Sequence, residues 1–517
     1  MHVCLHLDPS RLLRWHLWLA EAIADDPANE VSCSFGSERH PLPLICRSLL
    51  ELERLVYRVG GDGATDAMPA ALRALARSTT APDILINLSG GEPAPPARRV
   101  LTPVFNGVGG EVGVLEALAN DADLLVELHD TASASGPWTA RPASADRDVL
   151  AVTLDGTLSC AVLLILKALR EDRRPAAADP ARPGMVAPPA PPASALAWAS
   201  GRVASKAMSL VNIVARGGKM WGVGWRRDEG TGLLDKGKAV FEVLAADADS
   251  YLADPFPFRH QGHDFIFVEQ YSYKKGRGCI AVAEVHRDGT VSGPRIVVEE
   301  PHHLSYPFVF ERDGQIWMIP ESGAARNVSL YRAVEFPYRW AREASLIDHV
   351  EVYDCTPLFR GGHYWFFVSP RRWKSTSWDV LNVYGAESLT GPWVPHAANP
   401  ILIDASLSRP AGAFMEHRGQ ILRPVQNCLR GYGDAVTLCR IDALRLSAFA
   451  QTPTGVIRVE GFGCHTYNRR SGVEVIDMFG RVRQLREVTA SHEPLSAEVP
   501  AAADRRLGVS SMPADFA

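Results

Sequence analysis

Residues 302–322 read HHLSYPFVFERDGQIWMIPES, two short apolar runs separated by Asp313-Gly314. An Asp-Gly pair between alternating apolar residues marks a β-hairpin with a two-residue turn, because glycine supplies the positive φ that the turn demands. The same pattern recurs in DPFPFRHQGHDFIFVEQ from Asp254, DCTPLFRGGHYWFFVSP from Asp354, RPAGAFMEHRGQILRPVQ from Arg409 and, in weaker form, CHTYNRRSGVEVIDMF from Cys464. The turn glycines Gly262, Gly314, Gly362, Gly419 and Gly472 are separated by 52, 48, 57 and 53 residues. That period is the size of one four-stranded propeller blade. Segments such as CIAVAEVH and VSLYRAV supply third strands, and RIVVEE a fourth. The expected architecture is a five-bladed β-propeller over residues 201–485. MWGVGWRR, near residues 219–227, is expected to pair with the last blade and remove the open edge of a linear array.

Ahead of the propeller the pattern alternates between strand and helix. HVCLHL, EVSCSFG, DILINLSGG, ADLLVELHD and VLAVTLDG read as strands, the last three as buried parallel ones. RLLRWHLWLAEAIA, PLICRSLLELERLVY and LSCAVLLILKALRE read as helices. Residues 1–173 are thus expected to form a Rossmann-like α/β domain, giving a multidomain α/β plus all-β chain. Repeated proline makes residues 174–200 a linker, and residues 486–517, without periodicity, read as a flexible tail.

Composition narrows the function classes. The chain has 517 residues, 46% hydrophobic and 22% charged, with a formal net charge of -5. That balance offers neither a nucleic-acid footprint nor attraction to an anionic membrane. The nine cysteines are scattered without a C-x-x-C pair, so they read as buried thiols rather than a zinc site or disulfide framework. No uninterrupted run reaches the roughly 18 apolar residues of a membrane span. The start lacks the basic-then-apolar order of a signal peptide, and a cytoplasmic protein is expected. Nothing in the sequence sets an oligomeric state.

In a propeller blade the start of the first strand and the end of the second share one face. Reading the repeats at those places gives Asp254 and Glu269, then Ser305, Tyr306 and Glu321, then Asp354 and Ser369, then Arg409 and Gln426, then His465. Carboxylates converging on a funnel suit glycoside chemistry, in which one attacks or activates water and a protonated second donates to the leaving oxygen. Tyr271, Tyr273, Tyr306, Trp373, Trp378 and Tyr432 lie near that face and could stack on sugar rings. Trp317 and Trp365, inside second strands, read as inter-blade core.

The repeat architecture, with DPFPF opening the first blade and YDCTPLF the third, resembles the five-bladed superfamily of arabinanases, levansucrases and invertases, the family 43-like glycoside hydrolases. The resemblance implies Asp254 as base or nucleophile and Asp354 as proton donor, with Asp where that family usually has Glu. Ser305-Tyr306-Pro307 stands where its supporting acid would be, leaving Glu321 across the hairpin as the substitute for that supporting acid in the catalytic group, helping to set the pKa of Asp354. Glu269, Tyr306, Arg409, Gln426, Tyr432 and His465 are then substrate-binding residues. No metal or cofactor is called for beyond an axial calcium near His465, which the resemblance admits. HLSYPFVFERDGQIWMIPES, RPAGAFMEHRGQILRPVQNCLRGYGDAV and GCHTYN also resemble the amino-terminal propeller domain of plant glucosamine inositolphosphorylceramide transferases. Bacterial proteins with a similar propeller often carry a formyltransferase-like α/β domain ahead of it. The partner implied is a carbohydrate, glycolipid or nucleotide-linked sugar. Formyltransferases of that architecture use an Asn, a His and an Asp; here NLSGGEPAPPARRVLTPVFNGVGGEVG offers Asn87 and Asn106 without a histidine, leaving His129 as the distant substitute. The glycines of NGVGGEVG read as a tight turn rather than a phosphate cradle.

Overall fold

A computed structural model describes the chain apart from residues 38, 58–60, 77–80, 92, 134–135, 172–219, 229, 461–462, 481–485 and 492–517. The linker expected at 174–200 and most of the expected tail lie outside the described residues.

The amino-terminal sheet runs in the order Glu30–Phe35, His2–Leu7, Ile84–Leu88, Arg99–Phe105, Val126–Asp130, Trp138–Ala140. The first four strands are mutually parallel. Val126–Asp130, expected to be parallel, is instead antiparallel to Arg99–Phe105 and to Trp138–Ala140. VLAVTLDG is not a strand either: Leu150–Arg170 is one 21-residue helix. A short fully apolar run cannot be told from a buried helix by periodicity, and this helix is buried along most of its length beneath the sheet. It is long and apolar enough to cross a membrane, yet 89% of its apolar window is buried inside the fold.

After residue 219 the chain is almost all strand. All five expected hairpins form, each with a two-residue turn in which both residues have positive φ: Gln261-Gly262, Asp313-Gly314, Gly361-Gly362, Arg418-Gly419 and Ser471-Gly472. These are type I′ turns, whose twist matches that of the strands they join. The first three hairpins open sheets ordered 250–260, 263–272, 277–285, 295–298; then 305–312, 315–321, 327–335, 339–348; then 352–360, 363–370, 380–386, 394–395. The fourth and fifth share one nine-stranded sheet. In it Met220–Arg227 pairs antiparallel with Val473–Gly480, as expected of a closing strand. Arg486–Ser491, expected in the tail, is a strand between Ala448–Val459 and Lys238–Leu244.

Apolar faces pack between successive sheets, as Phe256, Phe258, Phe308, Met318 and Tyr331 do between the first and second. Trp317 and Trp365 take equivalent inter-sheet places, each donating Nε1 to the carbonyl five residues earlier at 3.3 Å. The α/β domain sits on the third sheet and the loop after it. Lys167 Nζ donates to the carbonyls of Ala398 and Pro400 at 2.9 and 2.7 Å, and Arg141 bridges to Asp404 in β fashion.

Candidate functional site

The innermost strands of the first three repeats are kinked at one shared position. Pairing skips two residues after Ala253, Ser305 and Tyr353, and the first residue skipped, Asp254, Tyr306 or Asp354, has φ of +49°, +47° or +53°. A bulge of this kind re-aims a side chain, and the left-handed region costs a non-glycine residue on the order of 1 kcal/mol. Three such residues at equivalent places turn their side chains toward the space between the repeats.

Toward the ends of the second strands stand Glu269, Glu321 and Ser369, opposite Ala253, Ser305 and Tyr353. Gln426 and Asp477 hold the same place in the last two repeats, Gln426 N donating to Arg409 O at 2.8 Å and Asp477 N to Thr466 O at 3.1 Å. Asp477 and Thr466 were not singled out by sequence. The spacing hides Asp477, which follows its turn glycine by five residues where Glu269 and Glu321 follow theirs by seven.

Hydrogen bonds tie these groups across all five repeats. Thr466 Oγ1 donates to Asp254 Oδ1 at 2.7 Å, and Tyr306 N to Asp254 Oδ2 at 3.3 Å. Asp477 Oδ1 accepts from His465 N and Thr466 N at 2.8 and 2.9 Å, while His465 Nδ1 closes on Asp477 Oδ2 and lies 3.8 Å from Asp254 Oδ1. Arg409 Nε donates to Asp354 Oδ2 at 2.5 Å and Gln426 Nε2 to the same oxygen at 3.0 Å. Ser305 Oγ and Gly323 N donate to Glu321 at 3.2 and 2.5 Å.

Burial then separates the acids. Asp254, Glu269, Glu321 and Asp354 are all buried. Loss of water pushes Glu321 up to about 8, with the charge of Asp354 adding to the rise and Gly323 N opposing it. Burial likewise raises Asp254 to about 6, His465 opposing and Asp354 and Asp477 adding. Glu269 is driven well above the carboxylate range by burial, then by Asp254 and Glu321, and among the described residues its Oε1 has no hydrogen-bond partner, His303 Nε2 standing 3.6 Å away. Burial disfavours a charged His465, but Asp477 and Asp254 outweigh it and raise its pKa.

Two expected roles change. Asp354 is paired with the Arg409 guanidinium and accepts from Gln426 on the same oxygen, a setting that suits a carboxylate rather than a proton donor; burial instead lifts both Glu269 and Glu321 above the carboxylate range, Glu321 to about 8. Tyr306 is not placed to hold a substrate: its ring is fully buried against Phe256, and its hydroxyl lies between Thr356 Oγ1 at 2.8 Å and Gly412 N at 2.7 Å. Tyr432 does border the site, 5.2 Å from the Arg409 guanidinium and 5.0 Å from both His465 and Trp378. Trp221 stacks on His465 at 4.0 Å. Tyr271 and Tyr273 form a separate aromatic group with Tyr251, and Trp373 stacks on Trp18 of the α/β domain.

Asp254, His465 and Asp477 bring one ligand atom each within 4.8 Å of one another. Two carboxylates and one imidazole supply fewer oxygens than the about six to eight that calcium asks for, so these three side chains do not by themselves make a calcium cage.

The amino-terminal domain offers less. Asn87 Oδ1 accepts from Ser89 N and Oγ and closes a local turn, while Asn106 Nδ2 donates to Asp123 O and its Oδ1 accepts from Leu125 N, tying its own turn to the segment before Val126–Asp130. Asn106-Gly107 is itself a tight turn, with φ of +48° and +78°. Arg11, paired with Asp8 and Glu111, fills the space beside Gly90 and Gly110. His129 lies half-buried on Val126–Asp130, apart from these turns.

Residues 241–462 match the family model of the glucosamine inositolphosphorylceramide transferase 1 amino-terminal region. That span holds Asp254, Glu269, Glu321, Asp354, Arg409 and Gln426; His465 and Asp477 follow it. The chain is similar to glucosamine inositolphosphorylceramide transferase 1 of Oryza sativa subsp. japonica, 32% identical over 211 residues, covering 40% of this chain and 28% of the relative. With the Arabidopsis thaliana protein of the same name the identity is 32% over 199 residues, covering 38% and 26%. The chain thus spans little more than a quarter of the curated relatives it matches. Among solved structures it is similar to an exo-β-1,3-galactanase from Clostridium thermocellum (12% identity, 42% of this chain and 59% of that chain, TM-score 0.32). A Cellvibrio cellulosa α-L-arabinanase bound to arabinohexaose gives 14% identity over 39% of this chain and 76% of that chain, with TM-score 0.30.

Proposed function

We propose that this chain is a carbohydrate-active protein whose five repeats form a five-bladed propeller, with the buried ring of Asp254, Glu321, Asp354, Arg409 and His465 as its site. The observation that carries this reading is the burial of two acids with different partners in one cluster, Asp254 beside His465 and Thr466 and Glu321 bonded by Ser305 and Gly323, which raises the first to about 6 and the second to about 8. Glycosyl chemistry needs such a pair: a carboxylate to attack or to activate a nucleophile, and a carboxylic acid to protonate the leaving oxygen. Asp254 takes the first role and Glu321 the second. Arg409, fixed by Asp354 and Ser377, supplies a cation for an anionic group or a ring of hydroxyls. The partial match to the plant transferases supports a glycan, glycolipid or nucleotide-linked sugar as ligand. The parallel half of the amino-terminal sheet supports a Rossmann-like reading of that domain, with the formyltransferase-like chemistry lost.

The test is a screen of nitrophenyl glycosides and uridine-diphosphate sugars against the full chain, with Asp254→Asn and Glu321→Gln as controls. Turnover is expected to fall by roughly 10²–10⁴ in each variant, the worth of general acid–base catalysis. Turnover unchanged in Asp254→Asn would remove that residue from the mechanism. A second reading, glycan recognition without catalysis, is favoured by Tyr306 standing at the bulge where the neighbouring repeats carry acids. It predicts calorimetric binding of a panel member with no turnover in any of the three proteins.

A further inference from the structure

Asp379 lies outside the ring of site carboxylates and joins the two domains. Its side chain is wholly buried. Oδ2 accepts from Ala143 N at 2.9 Å and from Cys160 Sγ at 3.2 Å, both in the α/β domain. Its main-chain carbonyl accepts from Asp404 N at 2.6 Å and from Ser408 Oγ at 3.1 Å. Two residues earlier, Ser377 Oγ accepts from Arg409 Nη1 at 3.0 Å. Arg409 follows Ser408 directly, so the segments on both sides of its guanidinium are anchored at Asp379.

The docking extends around this point. Ala405 N donates to Arg141 O at 2.8 Å and Arg141 N to Ile403 O at 3.0 Å. Ala143 packs with Ala405 and Cys428, against Trp378 and Tyr432. On the far flank Trp373 stacks on Trp18 at 6.1 Å and Lys374 Nζ meets Asp62 at 2.6 Å.

A carboxylate removed from water is expensive unless hydrogen bonds replace its hydration. Burial pushes Asp379 up to about 6, and the Ala143 amide and Cys160 thiol pull it back. No cation bonds to it among the described residues, so an apolar residue here would be the cheaper way to hold two domains together. The acid is explained by what its position organises.

We propose that the α/β domain is a positioning element of the propeller site: through Cys160 and Ala143 N it fixes Asp379, and Asp379 holds residues 375–379 and 404–409 so that Arg409 is aimed at Asp354. Cys160 and Asp379 are positioning residues and touch no ligand. The proposal rests on the ring being the ligand site, but its test does not depend on that.

The test uses the full chain and three variants, Cys160→Ala, Cys160→Ser and Asp379→Ala, with hydrogen exchange resolved to peptides covering 404–412 and 305–321. Cys160→Ala and Asp379→Ala are expected to raise exchange in 404–412 by about tenfold or more, the effect of losing one or two buried hydrogen bonds, with 305–321 unchanged. Cys160→Ser keeps a donor and is expected to exchange like the wild type. Where a panel glycoside is turned over, kcat falls with the exchange and recovers in Cys160→Ser. Unchanged exchange in 404–412, or an equal rise in both peptides, would overturn the proposal. If Asp254→Asn shows the ring to be inert while 404–412 still loosens, the catalytic reading fails and the coupling stands.

Discussion

Replacing Arg409 by methionine keeps most of the side-chain volume and removes the cation. Arg409 is 7% and Asp354 1% exposed, so neither charge has water to fall back on. The variant loses the 2.5 Å bond to Asp354 and the 3.0 Å bond to Ser377. It also loses the guanidinium contacts with the Tyr432 and Tyr353 rings at 5.2 and 5.6 Å. Asp354 keeps only the Gln426 amide, at 3.0 Å. Breaking a buried ion pair from one side costs about 3–5 kcal/mol, because the surviving charge is stranded. At about 2–4 °C per kcal/mol for a domain of this size, melting should fall by roughly 6–20 °C. Calorimetry of the full chain reads this directly. The double variant Arg409→Met/Asp354→Asn removes the stranded charge and should recover at least half of the loss. A single variant that melts within about 2 °C of the wild type, or a double variant no better than the single, would refute the claim that the two charges hold one another.

Three further outcomes follow from the same ring. Tyr306→Phe removes a hydroxyl held by Thr356 and Gly412 N and should cost about 1–3 kcal/mol, with KM for any panel glycoside unchanged; a raised KM at wild-type melting would return Tyr306 to the substrate. Gly412 has φ +138°, and a Cβ there would stand 2.2 Å from Tyr467 O, so Gly412→Ala should destabilise by about 2 kcal/mol or more, read by denaturant unfolding. Glu321 has its folded pKa raised to about 8 from 4.5, so its stability is fully present below about pH 4.5 and lost as pH rises toward 8. Glu321→Gln should therefore gain on the wild type across that window, by up to roughly 3–5 kcal/mol at pH 8, in melting curves taken at several pH values.

How much of this was legible in the sequence depended on whether the signal was local. The five I′ turns were, because glycine at the second turn position follows from φ alone, and the spacing of those glycines carried the repeat. The bulges were not: Asp254, Tyr306 and Asp354 sit in left-handed backbone that none of the three residue types announces, and they reveal why Tyr306 occupies an acid's place without doing an acid's work. The helix Leu150–Arg170 was misread at its start because VLAVTLDG is apolar on every side, which suits a buried helix and a buried strand equally. Asp477 is not announced by the repeat, because it stands five residues after the turn glycine Gly472 whereas Glu269 and Glu321 stand seven after Gly262 and Gly314. The exchange of roles between Asp354 and Glu321 depended on Arg409, 55 residues from Asp354 along the chain, and no local pattern encodes that contact.

The most direct test is infrared titration of buried carboxyls in the wild type and in Glu321→Gln. A protonated-carboxyl component that disappears as pH rises through about 8 in the wild type and is missing from Glu321→Gln, with the component of Glu269 present in both proteins, would be the predicted result. Identical titrations of the two proteins would contradict it, because Glu321 would then hold no proton to donate.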